Sequence, residues 1–494
     1  MKRFWATVIV IVAAAASTPA YSADDPVGRA MKLYEKRHYA EAAFALKAEM
    51  GAIEPARQSA AQLTLGMLYL KNAELHRELY QTSVTATVDY LKKLATDQGK
   101  NKSRFADLHL GEALAAIGKP DTAIIHLERF IASEGTEPKY KALAGVALGL
   151  CHFLKDDKQK AEDLWKGLEA VDPEVKAELA AAYAKAGRKE QDPVAVIDNE
   201  LNSKKAGAAL SMRMVKNALS VYAASGHAEK GIELMKHADL KAVSYRESIS
   251  KSKIISFYEL SLLQDMSSLF LQASIAALEK AAADAKLKDT VNYYLGEAYA
   301  LAGNIDQSFK TTTSFLSSPM PQQLKDKAMA RQAANHYQKG KQFEAIGVWD
   351  ELMQKQPADP EVLAEVLFSC GRLKIDCPKV AQKSSAAVEA GEGRRLFILN
   401  IALGRYYFAK KDYPKAAVYF EAGRDKSNKN KIESNDPVML VELAETYYRT
   451  KKFSEALEIY FEMSKQFPEV RQIQEAMGGI YSMEHKSAGD VKIF

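Results

Sequence analysis

The sequence predicts an all-α solenoid of about twelve antiparallel helical hairpins. Three observations predict it. The stretch "ALGRYYFAKKDYPKAAVYFEAG" (402–423) sets small residues at Gly404, Ala416 and Gly423 and aromatic residues at Tyr407, Tyr413 and Phe420. The same order returns along the chain. And 494 residues that are 47% hydrophobic and 27% charged make a folded chain long enough for a repeat array.

The first element is a leader. "MKRFWATVIVIVAAAASTPAYSADD" opens on Lys2 and Arg3, continues with an apolar run from Phe4 to about Ala16, and ends on Pro19 and small residues. This is the layout of a secretory signal peptide. The run of about 13 residues is short of the roughly 20 that span a bilayer. Cleavage near Ser22 or Ala23 is expected, leaving an exported chain with no transmembrane segment, and the compartment expected is a bacterial periplasm.

Hairpins follow. "LYEKRHYAEAAFALKAEM" (33–50) gives most of one, and "LGMLYLK" (65–71) gives a first half. Clear copies stand at 110–130 and 148–173, with a poorer one, "LAAAYAKAG", at 179–187. After Gly187, "RKEQDPVAVIDNELNSKKAGAAL" carries a proline and no clean period, which reads as a failed second helix. Divergent units resume at 218–235. The stretch 244–285 has a helical period but exceeds one unit, and further copies stand at 295–316 and 333–357. "EAGEGRRLF" (389–397) reads as a break before the two best copies, 402–423 and 443–468, about 40 residues apart. In the first, Leu403, Gly404 and Tyr407 share one helix face, and Ala416, Phe420 and Gly423 share one face of the next. Gly404 and Ala416 let two backbones approach, and the aromatics fill the space beside them. One such hairpin cannot bury its apolar face alone and has to stack on neighbours.

This pattern resembles the tetratricopeptide repeat family. The leucine–small–x–x–aromatic start, the mid-repeat alanine, the following aromatic and a closing proline (Pro173, Pro357, Pro468) carry the resemblance. It implies a right-handed superhelix whose first helices line a concave face. The domains expected are a signal peptide (1–23), an N-terminal array (24–188), an irregular linker or hinge (189–211), a central divergent array (212–391) and a C-terminal array with a capping helix and short tail (392–494).

Carried onto this sequence, the family geometry places Tyr293, Glu297, Arg331, Asn335, Arg405, Glu445, Tyr448 and Arg449 at outward positions of first helices, as a binding groove. Tyrosine and arginine are the residue types most often found as binding hot spots. The same residues also suit the solvated half of any amphipathic helix. Arg331 and Asn335 stand four apart, as in family members that clamp a peptide carboxylate, but the following unit lacks the asparagine that such a clamp needs.

Of three cysteines, Cys151 reads as a buried small hydrophobe. Cys370 and Cys377 flank the turn "GRLKID" and are either a disulfide stapling two helices or two thiols. Two cysteines without a histidine do not make a closed metal site. There is no H-E-x-x-H, no P-loop, no G-x-S-x-G and no calcium loop. No catalytic residue, metal or cofactor is expected. Asp156 and Asp157 read as a turn and helix cap. A net charge of +5, with basic runs lacking interleaved aromatics, gives no reason to expect nucleic acid.

The function expected is a non-catalytic periplasmic scaffold that binds partner proteins or extended peptides along the groove, in assembly of a cell-envelope machine such as a pilus, secretion or export system. The alternatives are a polysaccharide-export scaffold that contacts the polymer or an outer-membrane porin, and a general periplasmic chaperone.

Overall fold

A computed structural model describes residues 25–35, 38–96, 105–188, 191–203, 210–237, 255–355, 359–391, 395–424 and 436–466. The expected signal peptide, the C-terminal tail with its capping helix, Pro357 and Pro468 lie outside the described residues. Among the described residues there are 22 α-helices, and no helix is long and apolar enough to cross a membrane. The chain divides into two compact units: unit 1 takes 1–74, 271–468 and 479–494, and unit 2 takes 75–270 and 469–478. These bounds fall at neither side of the expected linker.

Unit 2 is built on hairpins α4 (Ala106–Ala116)/α5 (Pro120–Ala132), α6 (Pro138–Leu154)/α7 (Lys158–Trp165), α8 (Pro173–Lys185)/α9 (Pro193–Asn202) and α10 (Met212–Ala224)/α11 (Ala228–His237). The first helices α4, α6, α8 and α10 pack in order against one another. Asp157 caps α7 through the Lys160 amide, as the sequence suggests. The failed second helix is a correction. Pro193 opens α9 instead of breaking it, because the first helical position needs no amide donor. Asp192 accepts from the Ala195 amide at 3.1 Å, and α9 packs on α8 as an ordinary second helix. Pro173 likewise starts α8 and does not close α7.

Unit 1 contains α1 (Pro26–Glu35)/α2 (Tyr39–Glu49), α13 (Lys288–Leu301)/α14 (Ile305–Leu316), α15 (Gln322–Gln338)/α16 (Gln342–Gln354), α17 (Pro360–Leu373)/α18 (Pro378–Ala390), α19 (Arg395–Ala409)/α20 (Tyr413–Gly423) and α21 (Pro437–Arg449)/α22 (Phe453–Gln466). The Sγ atoms of Cys370 and Cys377 are bonded, tying the end of α17 to the start of α18.

A fixed spacing joins the two helices of a hairpin. A Cβ on Gly111 would meet Leu127, one on Gly149 Trp165, one on Gly296 Thr312 and one on Gly404 Phe420, each partner sixteen residues on and each within 2.5 Å. Nothing larger than hydrogen fits there unless the neighbour moves, which explains the small–large order of the sequence. Two indoles repeat a second device: Trp165 Nε1 donates to the Val146 carbonyl at 3.0 Å and Trp349 Nε1 to Ala330 at 3.1 Å, both nineteen residues back.

One hairpin of unit 1 breaks the spacing. Gly66, on α3 (Pro55–Thr96), faces Leu278 of α12 (Ile255–Ala281), and Ser274 Oγ donates to the Gly66 carbonyl at 2.7 Å. In α13/α14 the same bond runs from Ser308 Oγ to the Gly296 carbonyl, with Thr312 four residues beyond facing the glycine. So "LGMLYLK" does have its second half, supplied from across the whole of unit 2 in sequence. The architecture of both units is all-α and tetratricopeptide-like.

Candidate functional site

The residue that follows the small position of a first helix is often charged: Glu112 after Gly111, Glu297 after Gly296, Arg405 after Gly404, Glu445 after Ala444. Other charges stand near one turn away on the same helices. Stacking of first helices brings these side chains together.

In unit 1 they form a row. Arg331 of α15 reaches back to α13, where its guanidinium donates to Tyr293 Oη at 2.6 Å, lies 4.6 Å from the centre of that ring and pairs with Glu297 at 3.2 Å. It reaches forward to Glu365 of α17 at 3.3 Å, which also accepts from Arg372 at 3.0 Å. Lys327 pairs with Glu361 across the same two helices. On α3, Lys71 pairs with Glu74. Further on, Arg405 of α19 lies 5.4 Å from the Phe368 ring of α17 and donates to Glu442 of α21 at 2.8 Å. Arg449 donates to Glu445 within α21 at 2.7 Å.

The carboxylates of this row are unequal. Burial would raise the Glu297 carboxyl, but Arg331, Lys71 and a hydrogen bond with Glu74 hold it down at about 2. Burial pushes Glu74 up to about 8; Lys71 opposes this and the neighbouring Glu297 charge adds to it. The two carboxyls are thus displaced in opposite directions. Burial also raises the Tyr293 hydroxyl and the Glu445 carboxyl, the latter against the pull of Arg449.

Unit 2 has a counterpart. Arg213 of α10 donates to Glu112 of α4 and to Glu178 of α8, both at 2.8 Å. Glu178 also accepts from Lys216 at 2.9 Å and Asn217 at 3.1 Å, and His109 bonds Glu112 at 3.0 Å. These groups are buried. Burial alone would raise both carboxyls, yet Lys216 and Arg213 hold Glu178 far below the usual carboxylate range, and Arg213 with His109 lowers Glu112.

Of the expected groove residues, Glu297, Arg331, Arg405 and Glu445 are partly open, Tyr448 is half-buried and Arg449 is exposed. Tyr293 and Asn335 are buried, not outward. Asn335 Nδ2 donates to Ser308 Oγ at 2.8 Å, so its side chain is spent on the preceding hairpin. Tyr293 lies under the Arg331 guanidinium. A peptide-carboxylate clamp on Arg331 and Asn335 is disfavoured because Asn335 is buried and oriented toward Ser308. The sequence reading missed Glu365, Arg372 and the whole of the unit 2 cluster. A signal existed for the first: Glu297, Arg331 and Glu365 alternate in sign at steps of 34 residues, as Lys327 and Glu361 do.

What such a row does chemically is fix register. Paired charges on adjacent first helices orient one another and leave Glu297, Arg331, Arg405 and Glu445 partly open in unit 1. Among the described residues no group of three or more His, Cys, Asp or Glu is placed to hold a metal ion.

No family model matches the chain, and no curated protein matches it. Among solved structures, yeast Tom70 is similar over 93% of this chain and 95% of its own, at 13% identity and a TM-score of 0.35. The Cut9–Hcn1 hetero-tetramer of the APC/C is similar over 97% and 92%, at 14% identity and 0.30. The TPR domain of P58(IPK) is similar over 78% and 99%, at 14% identity and 0.21. Superpositions this loose add nothing to what the hairpins themselves establish.

Proposed function

We propose that the chain is an exported, non-catalytic scaffold that binds protein partners or extended peptides along the first-helix face of unit 1, in assembly of a cell-envelope machine. The observation that carries this reading is the partly open row of paired charges on successive first helices, from Glu297 and Arg331 to Arg449 beside the half-buried Tyr448. The charged side chains of this row already pair with one another, which limits the ordering entropy lost on binding. The leader-like N-terminus supports export. The Cys370–Cys377 bond supports an oxidising compartment, since cytosolic thiols stay reduced.

Photocrosslinking in cells tests it. A photoreactive residue at Tyr448 or Arg449 is expected to give one discrete protein adduct, while the exposed second-helix position Lys310 gives none. A smear of adducts would replace the scaffold by a general chaperone. No protein adduct at either position would remove the groove reading. Fractionation with N-terminal sequencing tests export separately: a cytosolic chain that keeps Met1 would end that part.

A further inference from the structure

The second helix α16, "QFEAIGVWDELMQ", carries its own exposed stripe. Its inner face is ordinary: Ala345, Trp349, Leu352 and Met353 are buried in the core of unit 1. On the other side Phe343 is 93% exposed and Ile346 47%. Gly347 completes the i, i+3, i+4 triad, and a Cβ there would meet nothing within 4 Å. Asp350 and Glu351 follow on the next turn; among the described residues neither has an ion pair or hydrogen bond.

Each feature disfavours the free helix. A phenylalanine this open gains nothing from burial. A glycine in a helix interior lowers its stability, and here no close neighbour requires it. Two carboxylates near a helix C-terminus oppose the macrodipole, and the last turn has no basic residue. One occupant relieves all three. An apolar side chain would cover Phe343 and Ile346, a backbone would approach closely over Gly347, and cations would meet Asp350 and Glu351. At the other end of the stripe, Glu344 is already paired with His336 at 3.1 Å and Lys341 at 3.4 Å, so the uncompensated charge is confined to the C-terminal side.

We propose that this stripe is a second docking surface, on the opposite helix of its hairpin from the first-helix row, and that it takes a basic amphipathic helix of a partner protein. The partner helix has an apolar stripe with Lys or Arg about one turn beyond it. Charge selects this occupant. A second copy of α16 offers at most Lys341, itself paired with Glu344, and brings two further carboxylates to the face, whereas a basic helix neutralises Asp350 and Glu351. Two surfaces on one scaffold let it hold two partners at once.

The test uses the full chain and a labelled helical peptide of leucine and lysine, with a leucine–glutamate peptide of the same pattern as control. The leucine–lysine peptide is expected to bind, and to lose affinity as salt rises. Phe343→Ala with Ile346→Ala, and separately Asp350→Lys with Glu351→Lys, are each expected to weaken it by roughly tenfold or more. Gly347→Leu is expected to weaken it by blocking close approach. Phe343, Ile346, Gly347 and Glu351 are exposed and Asp350 is partly so, and the fold is expected to be retained. Arg449→Ala should leave this binding unchanged, which separates its failure from that of the first-helix groove. Equal binding by all variants, or by the leucine–glutamate peptide, would overturn the proposal. So would a dimer of the free chain that Phe343→Ala dissociates, because the occupant would then be a second copy.

Discussion

The two units carry their charges on the same helices but at different depths. In unit 2, Arg213 is 3% exposed and Glu112 and Glu178 are 5% and 11% exposed. In unit 1, Arg331 and Glu297 are 13% and 19% exposed, and Arg372 reaches 47%. One arrangement serves as core glue and the other as a face. A buried carboxylate is costly unless it is paired and hydrogen-bonded, and Glu178 has three donors. A partly open row can give up a partner to water, or to another protein, at less cost than a sealed one.

The largest expected effect breaks the buried side of this comparison. Glu178→Ala removes the carboxylate that Lys216 pairs with, leaves Arg213 with Glu112 alone, and should destabilise unit 2 by about 3–5 kcal/mol. Hydrogen exchange of unit 2 peptides against urea measures it; a loss well under this would mean that the cluster is wet. Filling the small position is next. Gly404→Ala drives a Cβ to 2.4 Å from Phe420 and should cost unit 1 about 1–3 kcal/mol, read from the same profile. An unchanged unit 1 would mean that the α19/α20 hairpin is looser than its spacing implies.

Arg331→Ala should cost unit 1 about 1–2 kcal/mol, less than Glu178→Ala costs unit 2, because solvent reaches the groups left behind. If the two losses were equal, the contrast between buried and open rows would fail. The smallest effect is a pH dependence. The Glu74 carboxyl binds its proton more tightly in the folded chain, so its contribution is fully present below the ordinary carboxylate range. It fades as pH rises from about 4.5 through about 8. Glu297, held low, works the other way: its contribution is present above about 4.5 and is lost as pH falls toward about 2. Unit 1 should therefore soften between pH 5 and 8, and Glu74→Gln should remove most of that softening and leave the smaller part that Glu445, also raised by burial, contributes. Burial displaces Asp265 of unit 2 in the same direction as Glu74, so the measurement has to be read on unit 1 peptides alone. Softening that persists undiminished in Glu74→Gln would move the proton elsewhere.

What could be read in advance is what is local. The sixteen-residue spacing of Gly404 and Phe420 is written within one hairpin, and so are the Asp157 and Asp412 caps. Pro193 was legible as a proline but ambiguous in role: the same ring starts a helix at its first position and breaks one further in. The expected outward set failed at Tyr293 and Asn335 because helical phase gives the direction of a side chain and not what the next hairpin lays over it. The charged row left a faint trace at steps of 34 residues, too sparse to stand out among 27% charged residues.

By itself, the sequence determined that this chain is an all-α array of helical hairpins, because packing two helices at a glycine is a local steric requirement. Only the tertiary structure decided that Gly66 pairs with Leu278, since nothing in a chain marks partners 212 residues apart. It also decided which charges are sealed and which stay open. Burial depends on what stacks above a residue, and one hairpin carries no record of its neighbours.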